Sequence, residues 1–133
     1  MRIVLQRVSR ASVTGIHRQD TLEDASILVK KILKLRLWPT DRQWQANLSE
    51  IDGSVLAVSQ FTLYAITDKG AKPNFYDAMG TEEARTMFNQ IVQMLRESLP
   101  GRVETGAFGE LMNVDICNDG PVTLVLESRC NAQ

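Results

Sequence analysis

The sequence predicts an α+β domain, two amphipathic helices covering a mostly antiparallel β-sheet. Three observations lead there. Apolar residues recur at helical spacing in two stretches, 22–33 and 84–95. A continuous apolar, β-branched run occupies 54–63. Two alternating runs flank Asn118-Asp119-Gly120-Pro121, a turn-forming tetrapeptide. Amphipathic helices must bury their stripes against something, and a sheet of this kind is the available partner.

The elements follow in order. Ile3 to Val13 has the β-branched content of a strand, with polar Gln6, Arg7, Ser9 and Arg10 interleaved. Asp20-Thr21-Leu22-Glu23 is an acidic capping-box pattern and opens a helix. Leu22, Ala25, Val29, Ile32 and Leu33 form its buried face, and Lys30, Lys31 and Lys34 its outward face. Leu35 to Trp38 reads as a short strand stopped by Pro39. Ser54 to Leu63, with Val55, Leu56, Val58 and Phe61, reads as a buried strand. Asp68 to Phe75 is a polar loop containing Gly70 and Pro73. Thr81 caps the second helix, with Glu82 and Glu83 in the first turn, where the helix dipole favours negative charge. Ala84, Met87, Phe88, Ile91 and Leu95 make its apolar stripe, and Pro100-Gly101 ends it. The last third reads as a hairpin: Met112, Val114 and Ile116 alternate on the way out, and Val122, Leu124 and Leu126 on the way back.

The chain has 133 residues, enough for a single domain, 1–133, with no linker, repeat or low-complexity tract. Lys and Arg number 15 against 16 Asp and Glu, a net charge of −1. That balance argues against a general duplex-DNA binder, which needs a basic surface. The charge is uneven: residues 1–48 carry nine basic and four acidic side chains, and 49–133 six basic and twelve acidic. No apolar stretch approaches the ~18–20 residues of a membrane span, and the opening Met1-Arg2-Ile3-Val4-Leu5-Gln6-Arg7 is interrupted too early for a signal-peptide core. Cys117 and Cys130 form no disulfide framework, so reduced thiols in a cytoplasmic protein with no membrane partner are expected.

Familiar catalytic kits are missing. His17 is the single histidine and has no serine or cysteine partner at a motif spacing. No CxxC, HExxH or carboxylate cluster suggests a metal, and no glycine-rich loop follows a strand, so neither metal nor cofactor is expected. Two places stand out. Ser59-Gln60-Phe61-Thr62 puts two hydroxyls and an amide at the end of a buried run. They either bond neighbouring backbone or form a pocket for a carbonyl oxygen. Gly120-Pro121 is either a plain turn before a strand or a fixed backbone aiming carbonyls at a ligand.

SQFTLYAITDKGAKPNF (59–75), NDGPVT (118–123) and LQRVSRASVT (5–14) resemble the D-aminoacyl-tRNA deacylases, hydrolases that free tRNA from D-amino acids. The resemblance extends to VKKILKLRLW (29–38), TEEA (81–84) and VETGAFGELMNV (103–114), and the intact NDGPVT points to the bacterial–eukaryotic branch. It implies a homodimer whose sheets close into a barrel-like assembly, with active sites at the interface. It implies that Gly120-Pro121 is cis, enters the other subunit's pocket and turns two carbonyl oxygens to the substrate Cα. A D-amino acid presents hydrogen there, whereas an L side chain collides; selectivity is by rejection. Glycine passes the same filter. Arg7 and Met112 match positions that hold this region, and Phe108 walls the pocket. Ser59, Gln60, Phe61 and Thr62 match the residues around the terminal adenosine of tRNA and the scissile carbonyl. Thr62 is the protein nucleophile on paper, but no base stands at a readable spacing. The other route is water attack assisted by the terminal ribose 2′-hydroxyl, with the protein positioning the ester. A non-catalytic nucleic-acid-binding or replication-accessory dimer, and a plain structural dimer, are the competing readings.

Two departures stand out. Family members carry an extra strand pair between the equivalents of Thr14 and Gly15, about two strands of ~5–6 residues. Losing ~5 buried side chains would remove about 8–15 kcal/mol, comparable with a whole domain's stability. The expectation is that the molecule carries this piece; an intact mass near 14.9 kDa defeats it. Glu110 stands where the family usually has Ala, adding a negative charge near the pocket.

Overall fold

The computed structural model describes residues 1–8 and 12–128. Its elements are β1 (Arg2–Val8), β2 (Ser12–Gly15), α1 (Leu22–Lys34), β3 (Val55–Ser59), a 3-10 turn (Phe61–Tyr64), α2 (Thr81–Ser98), β4 (Val103–Thr105) and β5 (Asn118–Glu127). They form one five-stranded sheet in the order β4-β3-β2-β1-β5, with α1 and α2 packed together. The α+β class is observed, but the sheet is mixed rather than mostly antiparallel. β1 runs antiparallel to β2 and β5, while β3 runs parallel to β2 and β4. The parallel pairs arise because long helical crossovers, not tight turns, join β2 to β3 and β3 to β4.

The apolar run at 3–13 is two strands, not one. β2 folds back on β1 with Arg2 opposite Gly15 and Leu5 opposite Ser12. Ser9 and Arg10 lie outside the described residues. β2 takes the middle place in the sheet and is only four residues long, with Thr14 buried. Among the described residues, Thr14 and Gly15 are consecutive in β2.

The capping box at the start of α1 is observed one residue further on than the Asp20–Glu23 spacing implies: Thr21 is the N-cap and Asp24 its partner, the Asp24 carboxylate accepting from Thr21 N at 2.9 Å while Thr21 Oγ1 accepts from Asp24 N. Asp20 turns away to the buried amino group of Met1 and accepts from His17 N at 2.7 Å. Ala25, Leu28, Val29 and Ile32 are the buried residues of the α1 stripe; Leu22, expected inside, is 48% exposed because it stands at the helix entrance. Gly80, not Thr81, is the N-cap of α2, with no side-chain cap bond; Ala84 N bonds to Gly80 O. Phe88, Ile91, Val92 and Leu95 bury the inner face of α2, in a core shared with Ile3, Leu28, Val55, Leu99 and Leu126.

Three expected strand stretches differ. Leu35 to Trp38 is irregular, since only Trp38 finds a partner, in a single bridge to Ala46. The run at 54–63 leaves the sheet after Ser59, where Gln60 N bonds to Thr14 O and the chain tightens into the 3-10 turn. The final hairpin is absent: 111–117 has no regular structure, and Val114 and Ile116 are exposed. Asn118-Asp119-Gly120 belongs to β5 itself, because β1, not a neighbouring segment, supplies the ladder, with Val8 opposite Asn118. The alternation of Val122, Leu124 and Leu126 toward the core is retained. Among the described residues, no helix is long and apolar enough to cross a membrane.

Candidate active site

Ser59 ends β3, half-buried beside Thr14. The 3-10 turn that follows is closed by Leu63 N to Gln60 O at 3.3 Å and Ala65 N to Thr62 O at 3.1 Å. The Gln60 side-chain amide donates to Thr62 Oγ1. Thr62 Oγ1 is thus held as an acceptor by a neighbouring amide. Phe61 is 57% exposed, its ring set edge-on to Phe75 at 4.9 Å. A main-chain N–H, an exposed aromatic face and a held hydroxyl are thus grouped on one turn, the inventory needed to dock a base and a carbonyl.

The second motif lies at the start of β5. The Gly120–Pro121 peptide is cis, and both residues are exposed. Arg7 lies beneath: Nε donates to Asp119 O at 3.2 Å and Nη1 to Leu37 O at 2.6 Å, with a side chain only 10% exposed. Its planar fork ties β1, the segment after α1 and the tip into one unit. Asn118 braces the tip from inside: Oδ1 accepts from Val122 N at 3.1 Å and Nδ2 donates to Thr123 Oγ1 at 2.9 Å. Gly120 has φ 125°, and a Cβ there would stand 2.9 Å from Val122 Cγ2 and 3.1 Å from Arg7 Nη2, so only glycine fits.

The structure brings some of the expected residues together and not others. Ser59, Gln60, Phe61 and Thr62 form one cluster; Arg7, Gly120 and Pro121 form another. Met112 is half-buried, its sulfur closing over Gly106. Phe108 packs on Phe88 with centroids 5.7 Å apart, under the Arg85 guanidinium. His17 sets its ring edge against Tyr64 at 5.0 Å, and Nδ1 accepts from Gln19 N.

Strand register separates the two clusters. Ser59 pairs with Thr14, Thr14 with Ile3, and Ile3 with Leu126. Pro121 lies five residues back along β5, about 17 Å at ~3.4 Å per residue. Three strand spacings, at ~4.8 Å each, add about 14 Å across the sheet from β3 to β5. Within one chain the hydroxyl turn and the Gly-Pro tip therefore stand on the order of 20 Å apart, at opposite ends of the sheet.

Three residues that sequence reasoning passed over support these clusters: Arg2, Gly15 and Asn118. Asn118 lies inside the NDGPVT motif and was legible as part of it. Gly15 and Arg2 act through close approach and a non-local bond, which no spacing announces.

Geometry and register define a small α+β domain with a hydroxyl-and-amide turn at one end and a rigid Gly-Pro tip at the other. The family described as D-Tyr-tRNA(Tyr) deacylase matches residues 13–127. A D-aminoacyl-tRNA deacylase of Clostridium perfringens is 43% identical over 150 aligned positions, covering 98% of this chain and 99% of the relative. A solved structure described as c-Myc DNA Unwinding Element Binding Protein superposes with TM-score 0.91 at 35% identity, covering 98% of this chain and 100% of the other. Another, described as a probable eukaryotic D-amino acid tRNA deacylase, superposes with TM-score 0.79 at 16% identity and shares the fold, covering 95% of this chain and 98% of the other. The chain belongs to the D-Tyr-tRNA(Tyr) deacylase family. The 150 aligned positions exceed the 133 residues of this chain, so at least 17 positions (150 less 133) have no counterpart in it.

Proposed function

We propose that this chain is a homodimeric, cytoplasmic aminoacyl-tRNA editing hydrolase that cleaves the ester of D-aminoacyl-tRNA and glycyl-tRNA and leaves L-aminoacyl-tRNA intact. The observation that carries the reading is the separation of the two motifs. A hydroxyl turn and a Gly-Pro tip on the order of 20 Å apart in one chain act on one substrate only when the tip comes from a second copy. Two features favour that copy. β5 is a ten-residue edge strand with one ladder unused and Val125 61% exposed. Leu111, Val114 and Ile116, in the segment that leads into β5, add exposed apolar surface.

In this reading Ser59, the Phe61 N–H and Thr62 hold the terminal adenosine and the ester carbonyl, with Gln60 orienting the Thr62 hydroxyl. Water adds to the carbonyl carbon, assisted by the ribose 2′-hydroxyl. The ester C–O bond then breaks, the ribose oxygen takes a proton, and free tRNA and amino acid leave. Gly120 and Pro121 of the second copy face the substrate Cα, fixed by Arg7, so that an L side chain meets unyielding main chain. Met112 helps hold the region of the tip, and Phe108 walls the pocket. Contacts limited to a single-stranded end suit a chain of net charge −1.

The structural likeness to a protein described as a DNA unwinding element binding protein favours a second reading, a nucleic-acid-binding dimer without catalysis. Turnover separates the two. The chain, at a concentration far below that of D-tyrosyl-tRNA, releases many equivalents of D-tyrosine under the esterase reading. Binding at one equivalent with no release supports the binder and overturns the esterase.

A further inference from the structure

We infer that Arg2 is a positioning residue for the hydroxyl turn, a role that deepens and rests on the esterase reading above. The Arg2 guanidinium makes three contacts. Nη1 donates to Leu63 O at 2.9 Å. Nε donates to Glu127 Oε1 at 2.6 Å, with Nη2 also 2.6 Å from that oxygen. The group lies 5.2 Å from the centroid of the Tyr64 ring. It thus grips both a carbonyl and a ring of the turn that presents Phe61 and Thr62, and anchors them to the far end of β5.

The turn's other contacts are one main-chain bond, Gln60 N to Thr14 O at 2.7 Å, the close approach of Gly15, and the edges of His17 and Phe75. None of its four residues is fully buried, and the bonds that close its two ends are Leu63 N to Gln60 O at 3.3 Å and Ala65 N to Thr62 O at 3.1 Å. The Arg2–Glu127 pair is about one-third exposed on each side, so as an ion pair it contributes little to stability. Its effect is directional: Glu127 fixes the plane of the guanidinium, and that plane aims Nη1 at Leu63 O. β1 therefore carries one arginine for each cluster, Arg2 at the hydroxyl turn and Arg7 at the Gly-Pro tip. The strand works as a spacer that keeps both in register with the sheet.

Arg2→Gln, Arg2→Lys and Glu127→Gln test this. For Arg2→Gln, kcat on D-tyrosyl-tRNA falls about tenfold to hundredfold, the range that loss of one charge-assisted hydrogen bond carries. KM stays within about twofold, and the preference for D over L is unchanged because the tip is untouched. Arg2→Lys keeps the charge without the fork and recovers only part of the rate. Glu127→Gln, which leaves Arg2 in place but loosens its plane, gives a smaller loss of the same kind. Ethylguanidinium at millimolar concentration raises the rate of Arg2→Ala but not that of wild type.

Amide exchange reads the same claim without any substrate. In Arg2→Gln the Leu63 and Ala65 amides exchange at least about tenfold faster while those of β3 and α2 do not change. A folded Arg2→Gln with wild-type kcat, or with wild-type exchange at Leu63 and Ala65, overturns the role of Arg2. A wild-type chain that cleaves nothing removes the esterase reading instead, and the exchange result still decides whether Arg2 holds the turn.

Discussion

Gly15→Ala is the sharpest perturbation of the site that changes none of the residues proposed to touch substrate. Gly15 ends β2 directly beneath the 3-10 turn. A Cβ there would stand 2.8 Å from Leu63 Cβ, 2.9 Å from Gln60 O and 3.2 Å from Leu63 Cδ1. The two nearest atoms belong to the turn's own framework, so no flexible side-chain end can swing aside; the turn itself must lift by a few tenths of an ångström. Overpacking of this kind costs about 1–3 kcal/mol. For a domain of this size that is a fall in Tm of about 3–15 °C. The catalytic cost is separate: a shift of the groups that position the ester lowers kcat by up to about 100-fold. Thermal unfolding by circular dichroism and single-turnover deacylation of D-tyrosyl-tRNA measure the two. Gly70→Ala is the comparison. Its Cβ meets nothing within 4 Å, and φ of 76° alone costs about 1–2 kcal/mol. Stability should fall there with kcat unchanged. Wild-type Tm and kcat in Gly15→Ala would refute the close-approach reasoning.

Four further outcomes are expected. Gly120→Ala, which sets a Cβ 3.1 Å from Arg7 Nη2 at φ 125°, should lower D-tyrosyl-tRNA deacylation at least about tenfold in steady-state assays. Leu28→Ala, at a fully buried position between α1 and the core, should cost about 2–5 kcal/mol in urea unfolding without changing substrate preference. Partial burial, and next the charge of Asp20, hold the Tyr64 phenol above its ordinary range. Its stabilising contribution is therefore complete below the unfolded-chain pKa of about 10 and is lost as pH rises toward the folded value. Urea midpoints taken from pH 8 upward should decline more steeply for wild type than for Tyr64→Phe. Glu110→Ala removes an exposed negative charge and should lower KM for tRNA by a modest factor that disappears at high salt.

The residues differ in how plainly the chain announced their positions. Both helices were legible because their stripes are long and periodic, and the polar run 20–23 announced the start of α1, with the box itself closed by Thr21 and Asp24. Thr81 misled by the same logic: Gly80 took the cap with backbone alone, which residue type does not reveal. The sheet was read poorly where pairing is non-local. β5 looked like the return arm of a hairpin because Met112, Val114 and Ile116 alternate, yet its ladder partner is β1, over a hundred residues earlier. The split of 3–13 into β1 and β2 was hidden for a related reason: both halves have strand composition. In the site, the two motifs and Arg7 were legible as a pattern. What joins them to the fold was not, since Gly15 acts by lacking a side chain and Arg2 through a carbonyl sixty-one positions away.

Intact mass of the purified chain, with its unfolding cooperativity, tests whether β2 alone fills the middle of the sheet. A mass well above 14.9 kDa is the expected result of the extra strand pair; a cooperative transition at 14.9 kDa defeats it and leaves the five-stranded arrangement described above.

The most direct measurement is the initial rate of ester cleavage on D-tyrosyl-tRNA beside L-tyrosyl-tRNA at equal concentration. Main-chain rejection of the L side chain predicts rapid release of D-tyrosine, with L-tyrosyl-tRNA decaying no faster than without protein. Equal release from both substrates would contradict it.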